Sequence, residues 1–177
     1  MSYTLTKIKT FRGMEGQGLN ATLMHNGEAI AFVLDDANGG EVHFDFRNPG
    51  QTPKSFNATT NEDADREEKE FGEYCLVWFL ESGGQAERAE RHKEFAADWD
   101  KPPHASVAME YWVNHHVDEA LNKRRFDRLS KTRTLFRLVG DKPEVWRTIS
   151  APWSPAVQAS IEKKYGADKI ATVWRAS

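Results

Sequence analysis

The chain has 177 residues, 39% of them hydrophobic and 29% charged, with a formal net charge of -3. That length fits a single domain over residues 1–177, and ten Phe with six Trp supply the apolar mass of a core, which excludes wholesale disorder. One cysteine, Cys75, excludes an internal disulfide and a cysteine-based zinc site.

The longest apolar run, Tyr74 to Leu80, is far short of the ~20 residues that cross a bilayer. Met1 to Arg12 lacks the apolar segment of a secretory signal. The expectation is a soluble protein of the cytoplasm with no membrane partner.

Residues 1–46 read as an antiparallel β-meander, with Tyr3 to Phe11 as its first strand. Asn26-Gly27 is a type I′ hairpin signal. A two-residue loop there pairs Leu23 with Ile30, Ala21 with Phe32 and Leu19 with Leu34, and puts all six on one face. The second turn lies over Asn38-Gly39-Gly40. A two-residue loop sets Asp35 opposite Val42. A three-residue loop, with a glycine in the left-handed position, aligns Leu34 with Phe44 and Phe32 with Phe46; this register is preferred. Arg47 to Thr60, with Pro49 and Pro53, reads as a loop.

The segment 61–130 reads as helical. Asn61 is placed as an N-cap, with Glu62 and Asp63 at the positive end of the helix. Periodicity lets Tyr74 to Leu80 be either its last turns or a buried strand; helix is preferred, ended by Gly83-Gly84. Gln85 to Asp98 is predicted as a charged helix stopped by Pro102-Pro103. Ser106 to about Leu129 is the clearest helix. Met109, Trp112, Val113, His116, Val117, Ala120 and Leu121 recur on one stripe.

The tail 134–174 reads as ββαβ. Thr134 to Val139 and Glu144 to Ile149 flank a turn over Gly140 to Pro143. Ser154-Pro155 starts a helix with apolar face Val157, Ile161 and Tyr165, stopped by Gly166, and Lys169 to Trp174 closes the order. The fold class is α+β: an N-terminal antiparallel meander packed against helices, then a hairpin, a helix and a strand. Leu19, Leu23, Ile30, Phe32, Leu34, Val42, Phe44 and Phe46 are expected on one buried face, covered by the helix from Ser106.

Few motifs carry chemistry. Gly13, Gly16 and Gly18 resemble a phosphate loop, but strand patterns lie on both sides and no helix N-terminus follows. They read as a strand connection. Asp35 to Glu41 fails as a calcium loop, because Gly40 and Arg47 fall where oxygen ligands belong. It reads as a turn whose Asp side chains bond the backbone. His115 and Glu119 share a helix face and are the best metal candidates, yet His116 points along the core stripe and the set is incomplete. Neither a metal nor another cofactor is expected. Cys75 sits in an apolar run, where burial makes a thiol inert. No catalytic residue is assigned; the one enzyme alternative is a loop-assembled site such as Asp35, Asp36, His43 and Asp45.

Charge is more telling. Residues 62–73 carry seven acids and two bases, while residues 123–137 carry seven bases and one acid. Three readings compete for the basic stretch: pairing with the acidic segment inside the fold, binding an acidic protein surface, or binding nucleic acid. Lys123, Arg124, Arg125, Arg128, Lys131 and Arg133 are the candidate partner-binding residues. Arg124 and Arg128 share a helix face, expected opposite the Val117–Leu121 stripe. Phe126 and Phe136 are expected in the core.

Leu135-Phe136-Arg137-Leu138, Gly140-Asp141-Lys142, Trp146-Arg147-Thr148, Ser154-Pro155-Ala156-Val157 and Lys164-Tyr165-Gly166 resemble segments of small bacteriophage and mobile-element proteins without assigned activity. Arg12-Gly13-Met14-Glu15-Gly16 and Asp35 to Gly40 are similar to the same group. The resemblance implies a phage or prophage setting and no particular chemistry. The expected function is therefore non-enzymatic. It is binding that occludes a host protein or protein–nucleic acid complex in the bacterial cytosol, such as a defence component, with direct nucleic-acid binding as the alternative.

Overall fold

A computed structural model of the chain describes residues 2–46, 61–82, 103–143 and 145–175. The predicted loop at Arg47–Thr60, the Gly83-Gly84 boundary and the predicted helix at Gln85–Asp98 lie outside the described residues. The fold is α+β, and the chain divides into two compact units, Met1–Val117 and Asp118–Ser177.

The first unit opens with β1 (Tyr3–Arg12), β2 (Gln17–His25), β3 (Glu28–Asp35) and β4 (His43–Asp45), an antiparallel sheet in the order β1-β2-β3-β4. The Asn26-Gly27 turn forms as expected: both residues have positive φ, 50° and 93°, and His25 lies opposite Glu28. The register beyond it differs from the expected one. Met24 pairs with Ala29, but Leu23 pairs with Ala31, so Ile30 is an extra residue and bulges. Every later side chain on β3 is thereby moved to the other face. Ala31 and Val33, not Ile30, Phe32 and Leu34, join Leu19, Ala21 and Leu23 in the buried core, while Ile30, Phe32 and Leu34 are half-buried. A second bulge interrupts β1 at Lys7, whose φ is 52°, and buries Ile8.

The second hairpin takes the register that sets Asp35 opposite Val42, not the preferred one. Val33 pairs with Phe44 and Leu34 with His43. The cause is upstream: once Val33 faces the core, its apolar partner on the same face must be Phe44. The ladder ends at His43 and leaves a wide loop. Asp35 Oδ1 accepts from the Ala37 amide at 2.8 Å and Asp36 Oδ1 from the Asn38 amide at 3.0 Å, as the turn reading expected. Gly39 holds the left-handed position, with φ 78°. The adjoining Gly13–Gly16 segment is a strand connection, and Gly18 lies in β2, where a Cβ would meet the Asp35 carbonyl oxygen at 2.5 Å.

Among the described residues, two helices belong here, α1 (Asn61–Glu81) and the first part of α2 (Ala105–Ser130). Tyr74 to Leu80 are helical, the last turns of α1. Phe71, Cys75 and Phe79 recur every four residues and are fully buried. Phe71 and Tyr74 both reach the sheet: Phe71 has centroids 5.0 Å from Tyr3, 5.8 Å from Phe44 and 6.4 Å from Phe46, and Tyr74 lies 4.7 Å from Tyr3. Trp112 of α2 meets Phe71 edge-on at 5.2 Å. The expected cover by the helix from Ser106 thus includes α1, which supplies the Phe71 ring between the sheet and Trp112. Met109, Trp112, Val113 and Val117 are buried as the stripe predicts, and His116 sits half-buried on Trp112.

The second unit holds the end of α2, β5 (Thr134–Leu138), β6 (Arg147–Ile149), α3 (Pro155–Tyr165) and β7 (Ile170–Val173). The sheet order is β6-β5-β7, all antiparallel. The predicted hairpin, helix and strand are present, but β6 is shorter than expected. Val145 N–H donates to the Lys142 carbonyl at 3.0 Å, so the turn runs on before the ladder starts. The Ser154 side chain caps α3 by accepting from the Val157 amide at 3.3 Å, and Pro155 follows it. Leu135, Phe136 and Ile161 form the buried centre, and Phe126, Trp146 and Trp174 pack ring against ring at 5.1–5.8 Å.

Candidate functional site

Lys123, Arg124, Arg125, Arg128, Lys131 and Arg133 are all exposed. Their placement follows from what α2 buries in the second unit, where Phe126 and Leu129 are half-buried, as are Ala120, Leu121, Asp127 and Ser130. Arg124 and Arg128 lie on the face away from Phe126 and Leu129. They are not opposite Val117 and Leu121, as expected. Steps of four, three and four residues put Val117, Leu121, Arg124 and Arg128 on one side of the helix.

The scaffold under these cations is fixed by directed bonds. Lys123 Nζ donates to Asp127 Oδ2 at 3.1 Å, and Trp174 Nε1 donates to Asp127 Oδ1 at 3.1 Å. Chiefly through the Lys123 bond, they hold the Asp127 carboxyl below the usual carboxylate range. The amides of Thr132 and Arg133 both donate to the Leu129 carbonyl, at 3.0 and 2.9 Å, and fold the loop carrying Lys131 and Arg133 onto the helix end. The acidic stretch has partners of its own in the first unit: Asp63 pairs with Arg66 at 2.9 Å, Glu73 with Lys69 at 3.9 Å and Glu67 with His25 at 3.1 Å.

The surroundings of several other sequence candidates are also defined. Asp35 and Asp36 are occupied by the turn amides. Cys75 is fully buried, and burial pushes its thiol far above the ordinary range. His115 is exposed, with its ring 5.2 Å from Trp78, whereas His116 Nδ1 meets the Trp112 carbonyl at 2.8 Å.

Two features escaped the sequence reading. The first is an acidic cleft of about 630 Å3, whose walls include Glu41, Glu68, Glu73, Glu110 and Lys69. Burial, then Glu41 and Asp35, raise the Glu110 carboxyl above its ordinary value. The second is a knot of polar groups where β2 ends against α1. One ligand-capable atom from each of His25, Glu67 and Glu70 lies within 4.8 Å of the others. Tyr3 stacks on the His25 ring at 4.2 Å and 16°. Burial and the Glu67 and Glu70 charges push the Tyr3 phenol up to about 12. The only local signal was Glu67 and Glu70 at i,i+3; the histidine is 42 residues away and is delivered by the tertiary fold.

Comparison with protein-family models, with curated proteins and with solved structures finds no match for the chain. Among the described residues, no helix is long and apolar enough to cross a membrane.

Proposed function

We propose that this protein acts by binding a macromolecule rather than by catalysis, with the basic end of α2 and the loop after it as the contact surface. The observation that carries this reading is the exposure of all six candidate residues on a backbone braced by Asp127, Trp174 and Leu129. Arginine suits such a surface, because its planar fork binds carboxylate or phosphate in a bidentate way. The resemblance to small phage and mobile-element proteins supports a host protein or protein–nucleic acid complex of the bacterial cytosol as the target, bound so as to occlude it.

The test is the double reversal Arg124→Glu, Arg128→Glu in the full chain. Both positions are exposed, so folding stability should change by no more than about 0.5 kcal/mol. Co-purification from a bacterial host, read by native mass spectrometry, should lose the partner that the unchanged protein carries. Binding that persists alongside a destabilised fold would make the stretch an internal ion-pair element and end the proposal. Affinity for duplex oligonucleotides that falls linearly in log-log with salt would favour the nucleic-acid alternative.

A further inference from the structure

The junction of β2 and α1 gathers groups whose chemistry fits a cation. His25 ends β2, and Glu67 and Glu70 project one helical turn apart from α1. A triangle with edges no longer than 4.8 Å has a point within about 2.8 Å of all three corners. A modest inward shift brings that to the ~2.0–2.2 Å of zinc–nitrogen and zinc–carboxylate bonds. His25 Nδ1 already meets Glu67 Oε2 at 3.1 Å, so the imidazole and one carboxylate are pre-positioned.

A second observation is independent of the carboxylates. Tyr3 is only 5% exposed, and its hydroxyl is buried without a hydrogen-bond partner. Its ring stacks on that of His25 at 4.2 Å, and Glu67 and Glu70 are the foremost charges acting on its phenol. Buried polar groups are seldom left unpartnered, and a water on an ion held at the His25 Nδ1 side would give the Tyr3 hydroxyl a partner.

We propose that His25, Glu67 and Glu70 form a binding site for a divalent transition-metal ion, with Tyr3 hydrogen-bonding a water held by that ion. The donor set decides the class. One imidazole and two carboxylates suit zinc or a neighbouring first-row ion, whereas calcium and magnesium prefer all-oxygen sites. Three protein ligands also leave a position open for that water. The ion would tie the end of β2 to α1, which makes thermal stability a direct readout.

The full chain, freed of metal by chelator, is titrated with zinc chloride by calorimetry, and its melting temperature is followed in parallel. One equivalent should bind and raise the melting temperature. Glu70→Gln keeps the side-chain shape and leaves the His25–Glu67 bond in place, so the metal-free melting temperature should not change. Its zinc affinity should fall by at least the 10- to 100-fold that loss of an outer partner alone produces. Cobalt(II) should give visible ligand-field absorption in the unchanged protein and lose it in Glu70→Gln. His115→Ala should alter neither result. Absence of zinc binding, or binding that Glu70→Gln leaves intact while His115→Ala abolishes it, would overturn the proposal and leave His25–Glu67 as a structural bond.

Discussion

In the unit up to Val117 the side chains almost wholly removed from water include Trp112, Phe71, Phe79, Leu23, Val33 and Val113; in the shorter unit from Asp118 they include Phe136, Leu135, Ile161 and Thr134. The shorter unit keeps its ring cluster of Phe126, Trp146 and Trp174 half in solvent. It has less interior to fill, as surface-to-volume scaling demands. In its place stand directed bonds: Asp141 accepts from Arg147 at 2.8 and 2.7 Å and from the Leu138 amide at 2.8 Å, and Thr134 Oγ1 donates to the Ala151 carbonyl at 2.9 Å. Apolar burial carries no titrating group, whereas an ion pair responds to pH and to salt. The two units should therefore respond to different perturbations.

The largest effects should come from the first unit. Phe71→Ala and Trp112→Ala each remove a ring from the contact between sheet and helices and should cost about 3–5 kcal/mol. Leu23→Ala should cost about 2–5 kcal/mol. Phe32→Ala should cost clearly less, because the Ile30 bulge turns Phe32 away from the buried face. Urea denaturation at constant m-value checks the series. Equal losses for Phe32 and Phe71 would mean that the bulge is misplaced.

That contrast marks how far the sequence could be read. Chemistry confined to a few neighbouring residues was legible: the Asn26-Gly27 turn, the Asp35 and Asp36 turn bonds, the Ser154 cap and the stripe of α2. Alternation along β3 was legible too, but not its phase, since one extra residue inverts every later side chain and Ile30 fits a bulge as well as a regular strand. The basic segment was visible as a charge run, yet its outward face depended on Phe126 and Leu129 being turned inward in the second unit. The knot of Tyr3, His25, Glu67 and Glu70 was not legible, because no local pattern pairs a strand end with a helix turn so distant in the chain.

A smaller effect is expected at the α3 cap. Ser154→Ala removes the acceptor of the Val157 amide and should cost about 1 kcal/mol, while Ser154→Asp should retain most of the stability. Thermal unfolding of the two variants separates a true cap from a side chain that is merely nearby. Equal destabilisation by Ala and Asp would show that the hydroxyl serves another contact.

The smallest effect should be the pH dependence carried by Asp141. Hydrogen bonds from Arg147 and then from the Leu138 amide hold its carboxyl at about 2, below the usual carboxylate range. Its pKa is thus lower in the folded chain than in the unfolded one, so the ionised form favours folding. The contribution is complete above about pH 4, the unfolded value, and is lost as pH falls through about 2. Asp141→Asn lacks it at every pH. The gap in urea midpoint between the two proteins should therefore be constant from pH 7 to about pH 5 and close below pH 4, where subtraction cancels the other carboxylates. Arg147 is exposed enough for salt to reach the pair, so about 1 M sodium chloride should narrow the gap at pH 7. A gap unchanged down to pH 2 would show that Asp141 acts through shape alone, and the shorter unit would then rest on packing as the longer one does.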